Sequence, residues 1–353
     1  MSDKTIFLHI GTEKTGTSYI QRVFHLNKGR LAARRGVLYP QTHYGLDEEQ
    51  VTPKHIFLRK AVTAVHVQSV FPLNLATMIG GKRAFYRRNL ARLNPVFAEI
   101  DASPCPKVFL SEEAVYAESA YAAPFFAALR ERYDVHVVVQ FRRQDQYLES
   151  LYGESVKNGT ASDIETYLET AEVRKRLDYA AMLRHWEAYF EPACIHVDRY
   201  GSDDALQKIF DVLGIAPLKK PKEPKFDNPS LNPEAIELMR HVNARNRISP
   251  RWPGPRQHRD LRHIVQTITK PGKPVFLTRE QRLAILERYR AGNDDIAKRY
   301  LAPRGEPKSL FETAPDRFPP DDAVMRPLPS KYKQELIDRL RQELARIGKQ
   351  YNL

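Results

Sequence analysis

Short apolar runs alternate with longer stretches of helical spacing through the first two thirds of the chain. Ile6, Phe7, Leu8 and Ile10 form the first run, and Arg35–Pro40 a second that a proline ends. Lys107–Ser111, Asp134–Phe141 and Cys194–Asp198 follow. Runs of this length, without strict polar alternation, read as strands buried on both faces of a parallel sheet. Between them, Tyr19, Ile20, Val23 and Phe24 recur at helical spacing, as do Tyr147, Leu148, Leu151, Tyr152 and Val156. Residues 121–132, Leu177–Phe190 (interior positions Leu177, Ala181, Leu183, Trp186 and Tyr189) and Asp204–Leu213, capped by Gly214, complete the alternation. Strand followed by helix, repeated, predicts an α/β domain with a central parallel sheet.

Two segments break that rhythm. Residues 46–100 read as a helical insert rich in aromatic and basic residues, including His55, Phe57, Phe71, Phe85, Tyr86, Arg87 and Arg88. Such an insert either walls a substrate pocket or covers a sheet face. Pro217–Pro233 is rich in proline and lysine and marks a boundary. Helical patterns resume over Glu234–Asn243, Arg259–Ile268 and Glu280–Tyr300, followed by a proline-rich stretch at 302–330. A final helix, Lys331–Lys349, carries the stripe Leu336, Ile337, Leu340, Leu344 and Ile347, which needs either its own core or another subunit. The expected organisation is a core at 1–216, a helical continuation at 217–301, and a linker with a terminal helix at 302–353. No internal repeat is present.

Composition narrows the partners. With 353 residues, 42% apolar and 28% charged, the chain has the balance of an ordinary globular protein. No run approaches the ~18 apolar residues of a spanning helix. Met1-Ser2-Asp3-Lys4 leads straight into the first strand without a signal-peptide pattern, so a cytoplasmic location is expected. Two cysteines, Cys105 and Cys194, and no CxxC or HExxH pattern suggest neither a disulfide framework nor a metal. The net charge of +13 favours anionic partners. The basic residues are scattered, however, and no nucleic-acid-binding signature accompanies them, so no nucleic acid is expected.

The chemistry concentrates between the first strand and first helix, in Gly11-Thr-Glu-Lys-Thr-Gly-Thr-Ser18. A glycine turn opening a helix presents unpaired N–H groups and the positive end of the helix dipole to an anion. A nucleoside-triphosphatase loop would continue Gly-Lys-Ser/Thr, but Thr17 stands at its lysine position and the lysine, Lys14, lies inside the turn. A second basic site follows the strand 134–141, where Arg142 at the exit and Ser150, eight residues on, pair a guanidinium fork with a hydroxyl. Those groups suit a terminal phosphate dianion.

Lys14-Thr15-Gly16-Thr17-Ser18 resembles the 5′-phosphosulfate loop of sulfotransferases that use 3′-phosphoadenosine 5′-phosphosulfate (PAPS). Arg142 and Ser150 resemble their 3′-phosphate site. The resemblance spans roughly residues 5–215, and it weakens toward about 301. It implies a P-loop-like three-layer α/β/α fold with a helical insert and a helical C-terminal extension. The activity it implies is sulfuryl transfer from PAPS to an acceptor hydroxyl, a carbohydrate being the expected class, without a metal. Lys14 would neutralise the leaving oxygen, Thr17 and Ser18 would hold the 5′ end, and Tyr200 would lie near the adenine. Ser111-Glu112-Glu113 resembles the Ser-Ser-Glu segment of bacterial relatives, which makes Glu113 the favoured base, with Glu112, His55, His43 and His9 as alternatives. A P-loop kinase or nucleoside triphosphatase and a non-catalytic polyanion-binding protein are the competing readings.

Overall fold

The computed structural model describes residues 3–41, 53–70, 93–201, 205–224, 231–246, 255–270, 272, 275–306, 309–325 and 328–348, without the side chains of 64–70, 246 and 255–260. The chain divides into two compact units. One comprises Met1–Arg142, Asp178–Lys225 and Ala291–Phe311; the other comprises Arg143–Leu177, Phe226–Arg290 and Glu312–Leu353. This division interleaves segments that the sequence reading arranged end to end. His43 and the aromatic and basic residues from Phe71 to Arg88 fall outside the described residues.

The first unit is built on five parallel strands: β1 (Thr5–Gly11), β2 (Val37–Leu38), β3 (Lys107–Ser111), β4 (Asp134–Phe141) and β5 (Ile195–Arg199). Their order is β2-β3-β1-β4-β5, so β1 is central. Thr5 pairs with Lys107 of β3 and Asp134 of β4, and the β1–β4 register shifts between His9 and Gly11. Ile6, Leu8 and Ile10 are buried on one face and Phe7 and His9 on the other, so helices or loops cover both faces. Helices α1 (Thr17–Arg35), α2 (Ile56–Val70), α3 (Asn94–Ala102) and α4 (Ser119–Ala127) precede β4.

Ile20, Val23, Phe24 and Leu31 of α1 pack in one cluster with Phe7, Phe109 and Val138 of the sheet. The Phe24 and Phe109 rings lie 4.3 Å apart. Gly36, at φ +63°, ends α1 and turns the chain into β2. The second expected strand shrinks from Arg35–Pro40 to two residues. Arg35 remains in the helix, and Pro40, which lacks a donor for the ladder, lies beyond the strand.

The second unit is helical, and it contains α5 (Gln144–Lys157), α6 (Ile164–Leu168) and α7 (Ala171–Leu177). The first unit then resumes with α8 (Tyr179–Glu187) and α9 (Ala205–Val212). Trp186 of α8 is fully buried, but Tyr189, expected inside, is 46% exposed because the helix stops two residues before it. Helices α10 (Pro233–Asn246), α11 (Pro255–Ile268), α12 (Arg279–Ile296) and α13 (Ser330–Arg346) complete the α-helices of the described residues.

In the second unit α13 packs on α10 and α11, burying Leu336, Ile337, Leu340 and Leu344. The stripe is therefore covered within its own chain; Ile347 lies past the helix end and is exposed. Buried Arg282 bridges Asp145 at 2.9 Å and Glu149 at 2.6 Å, both on α5. Glu149 also accepts the N–H groups of Phe276 and Leu277, which joins α5 to the chain leading into α12. No helix of the described residues is long and apolar enough to cross a membrane.

Candidate active site

After β1 the chain runs to β2 on one side of the sheet; after β4 it runs to β5 on the other. The carboxyl ends of β1 and β4 therefore flank the switch point, where open α/β sheets bind ligands. The loop 12–16 lies there. Thr12 N–H and Oγ1 both donate to the Gln140 carbonyl of β4, at 3.0 and 3.3 Å. Thr15 Oγ1 donates to the Thr12 carbonyl at 2.5 Å. Between these anchors, Lys14 adopts φ +64°, a left-handed conformation that costs a lysine about 1–2 kcal/mol.

Gly16, at φ +75°, is the N-cap of α1; no side chain caps the helix, and its first turn contains no acid. The N-terminal N–H groups and dipole thus meet no anionic side chain of the first turn. Ser18 is exposed there, while Thr15 and Thr17 are buried.

Arg142 and Tyr200 complete this side of the site. Arg142 Nη1 donates to the Lys14 carbonyl at 3.0 Å, so the guanidinium holds the strained residue of the loop. It also lies over the Tyr200 ring, 5.5 Å from the centroid. A Cβ at Gly16 would come within 3.3 Å of Tyr200 Cε2, so the tyrosine packs against the glycine cradle. The loop with Lys14 and Gly16, Arg142 and Tyr200, three separate places in the sequence, are brought together. Ser150 lies half-buried on α5, in the second unit.

The end of β3 supplies the acids. A Cβ at Gly11 would meet Glu113 Cβ at 3.1 Å, which puts Glu113 against the start of the loop. Gln21 of α1 donates to Glu113 Oε2 at 2.6 Å, and Lys54 Nζ donates to Oε1 at 3.0 Å. Burial pushes this carboxyl up, but Lys54 and the Gln21 hydrogen bond more than reverse that and hold it below the usual range. Glu112 is fully buried. Its Oε1 accepts from Ala114 N–H at 3.3 Å and lies 3.8 Å from Lys54, while Oε2 meets no hydrogen-bond partner. Burial, followed by the neighbouring Glu113 charge, pushes Glu112 up to about 7.

The two described histidines proposed as bases are built into the walls. His55 Nδ1 accepts from Ser111 N–H at 2.9 Å, so Nε2 carries the proton and donates to the Pro40 carbonyl at 3.2 Å. Both ring nitrogens are spent, and burial pushes the ring down to about 3, which leaves His55 no capacity to take a substrate proton. His9 is also fully buried. Its Nδ1 bonds Ser111 Oγ at 2.8 Å, its Nε2 meets no hydrogen-bond partner, and burial lowers it to about 4.

Gln21 and Lys54 were not anticipated. Gln21 had a legible signal, a polar residue at a buried position one turn from Thr17 on the apolar face of α1. Lys54 had none, since 59 positions separate it from the carboxylate it pairs with.

No family model matches the chain. A protein of Archaeoglobus fulgidus described as uncharacterized is 26% identical over 215 residues, which cover 57% of this chain and 56% of the relative. The match therefore takes in little more than half of either protein.

Proposed function

We propose that the chain is a PAPS-dependent sulfotransferase with a P-loop-like three-layer α/β/α core, acting on an acceptor hydroxyl, with a carbohydrate as the acceptor class. The observation that carries this reading is the loop itself. A helix N-terminus without a side-chain cap or a first-turn acid opens beside Lys14, and the backbone of that lysine is held by Arg142. Three features of the chain fit the donor. Gly16 leaves room that a Cβ would take from Tyr200, the donor set is cationic and hydrogen-bonding, and an aromatic ring borders the cradle.

Thr15, Thr17, Ser18 and the N–H groups of the first turn of α1 would hold the 5′ end, and Lys14 would balance charge on the departing oxygen. Arg142 would serve the 3′-phosphate. The donor supplies a sulfuryl group: the acceptor oxygen bonds to sulfur while the sulfur–oxygen bond to the 5′-phosphate breaks, its electron pair leaving on adenosine 3′,5′-bisphosphate. Glu113 takes the proton that the acceptor hydroxyl loses.

Thermal shift tests the reading. Adenosine 3′,5′-bisphosphate should raise the melting temperature well above the effect of ADP or ATP-magnesium, and Arg142→Ala should remove most of that response. A larger response to ATP-magnesium would replace the reading with a kinase or nucleoside triphosphatase. Stabilisation by DNA or RNA alone would replace it with polyanion binding, the reading that the charge of +13 supports.

A further inference from the structure

Two adjacent buried carboxyls cannot both ionise cheaply, so which one keeps a proton decides which one is the base. We infer that Lys54 and Gln21 assign that proton to Glu112 and thereby make Glu113 the base. This inference rests on the sulfotransferase reading for the base's role and on the geometry of this chain for the assignment.

The contacts are unequal. Lys54 Nζ is 3.0 Å from Glu113 Oε1 but 3.8 Å from Glu112 Oε1. Gln21 Nε2 donates to Glu113 Oε2 at 2.6 Å, so each Glu113 oxygen faces a donor suited to a carboxylate. Glu112 has only the Ala114 N–H at 3.3 Å and the distant ammonium, and its Oε2 is sealed without a partner. Protonating Glu112 removes an unsolvated charge; protonating Glu113 would forfeit an ion pair and set a hydroxyl against an N–H donor. The raised Glu112, at about 7, and the lowered Glu113 agree with this partition.

The other titratable groups around the pair leave the bias intact. Lys54 stays charged because the two carboxylates more than offset its burial. Arg59 on α2 acts on Lys54 and Glu112; His9 on β1 and His55 are held neutral at neutral pH; Tyr39 is pushed upward by burial, then by Glu113 and Glu112. Lys54 and Gln21 are positioning residues in this scheme: they act on the acceptor only through Glu113.

Infrared titration of the carboxyl C=O stretch, on full-length protein labelled with carbon-13 at the glutamate carboxyls, reads the assignment without needing the acceptor. In the wild type, one buried carboxyl should protonate near pH 7, and Glu112→Gln should abolish that band. Lys54→Met should move Glu113 protonation up by roughly 1–3 pH units. Lys54→Arg should restore it, and Gln21→Leu should shift it in the same direction by less. Survival of the near-neutral band in Glu112→Gln, or an unmoved Glu113 titration in both Lys54→Met and Gln21→Leu, overturns the inference. The thermal response to adenosine 3′,5′-bisphosphate should persist in Lys54→Met. Its absence from the wild type would instead overturn the donor reading, whatever the infrared bands report.

Discussion

Lys14 holds a backbone conformation that favours glycine, and the Arg142 bond to its carbonyl helps keep it there. Strain of this kind survives where a side chain is needed for more than stability. Lys14→Gly should therefore fold with a melting temperature no lower than the wild type while losing most of its response to adenosine 3′,5′-bisphosphate, both read in one thermal scan. A variant that unfolds early would mean that the lysine side chain is structural.

At this scale the sequence was legible where the candidate chemistry sits in consecutive residues. The Lys14–Ser18 loop and the two acids at 112–113 were visible as local patterns. The partners that set the state of those acids were not, because Lys54 and Gln21 reach Glu113 only through tertiary packing. His55 shows the reverse: a histidine near candidate chemistry read as a base, yet its two nitrogens close bonds to Ser111 and Pro40.

Among the elements, α1 combines two roles that a single substitution separates. An acidic residue in the first turn of a helix favours the helix by about 0.3–1 kcal/mol. The same charge would sit where the proposed anion binds. Ser18 is exposed in that turn, so Ser18→Asp should leave unliganded stability unchanged or slightly higher and should abolish bisphosphate stabilisation. Equal losses of stability and binding would show the N-terminus to be a structural cap and no anion cradle.

The long strands and helices were legible because their apolar periodicity persists over many residues: β3 and β4 match their expected bounds. Short elements were less so. β2 contracted to Val37–Leu38, and α8 stopped at Glu187, leaving Tyr189 outside. Those ends are decided by local backbone geometry and neighbouring chain segments, which periodicity does not encode.

Stability of the whole molecule should carry the mark of its buried titrating groups. His9 and His55, at about 4 and about 3 when folded, have an ordinary value of 6.5, so below that pH the unfolded chain binds protons the folded chain refuses. Their contribution is complete above about 6.5 and is lost as pH falls. Glu112 acts oppositely. Its folded value of about 7 against an ordinary 4.5 gives a contribution that is complete below 4.5 and lost as pH rises through 7.

From pH 4.5 to 6.5 these two histidines outweigh the one acid by about 1.4 kcal/mol per pH unit, and His196, which burial lowers to about 4, adds to the slope in the same direction. Urea unfolding should show stability climbing across that window and levelling off near neutrality, and Glu112→Gln, which removes the opposing acid, should steepen the climb. A flat profile from pH 4 to 7 would mean that these groups are not buried as described. The domain limits had no comparable signal in the sequence, since units made of interleaved segments leave no single change of composition at their borders.

The central place of β1 has a consequence for synthesis. Its two sheet neighbours are β3, ending at Ser111, and β4, ending at Phe141, so β1 leaves the ribosome long before it is flanked on both sides. For more than a hundred residues of elongation, Ile6, Phe7, Leu8 and Ile10 lack a complete binding cleft, and a nascent chain halted before residue 134 offers that ribbon to chaperones or to other chains.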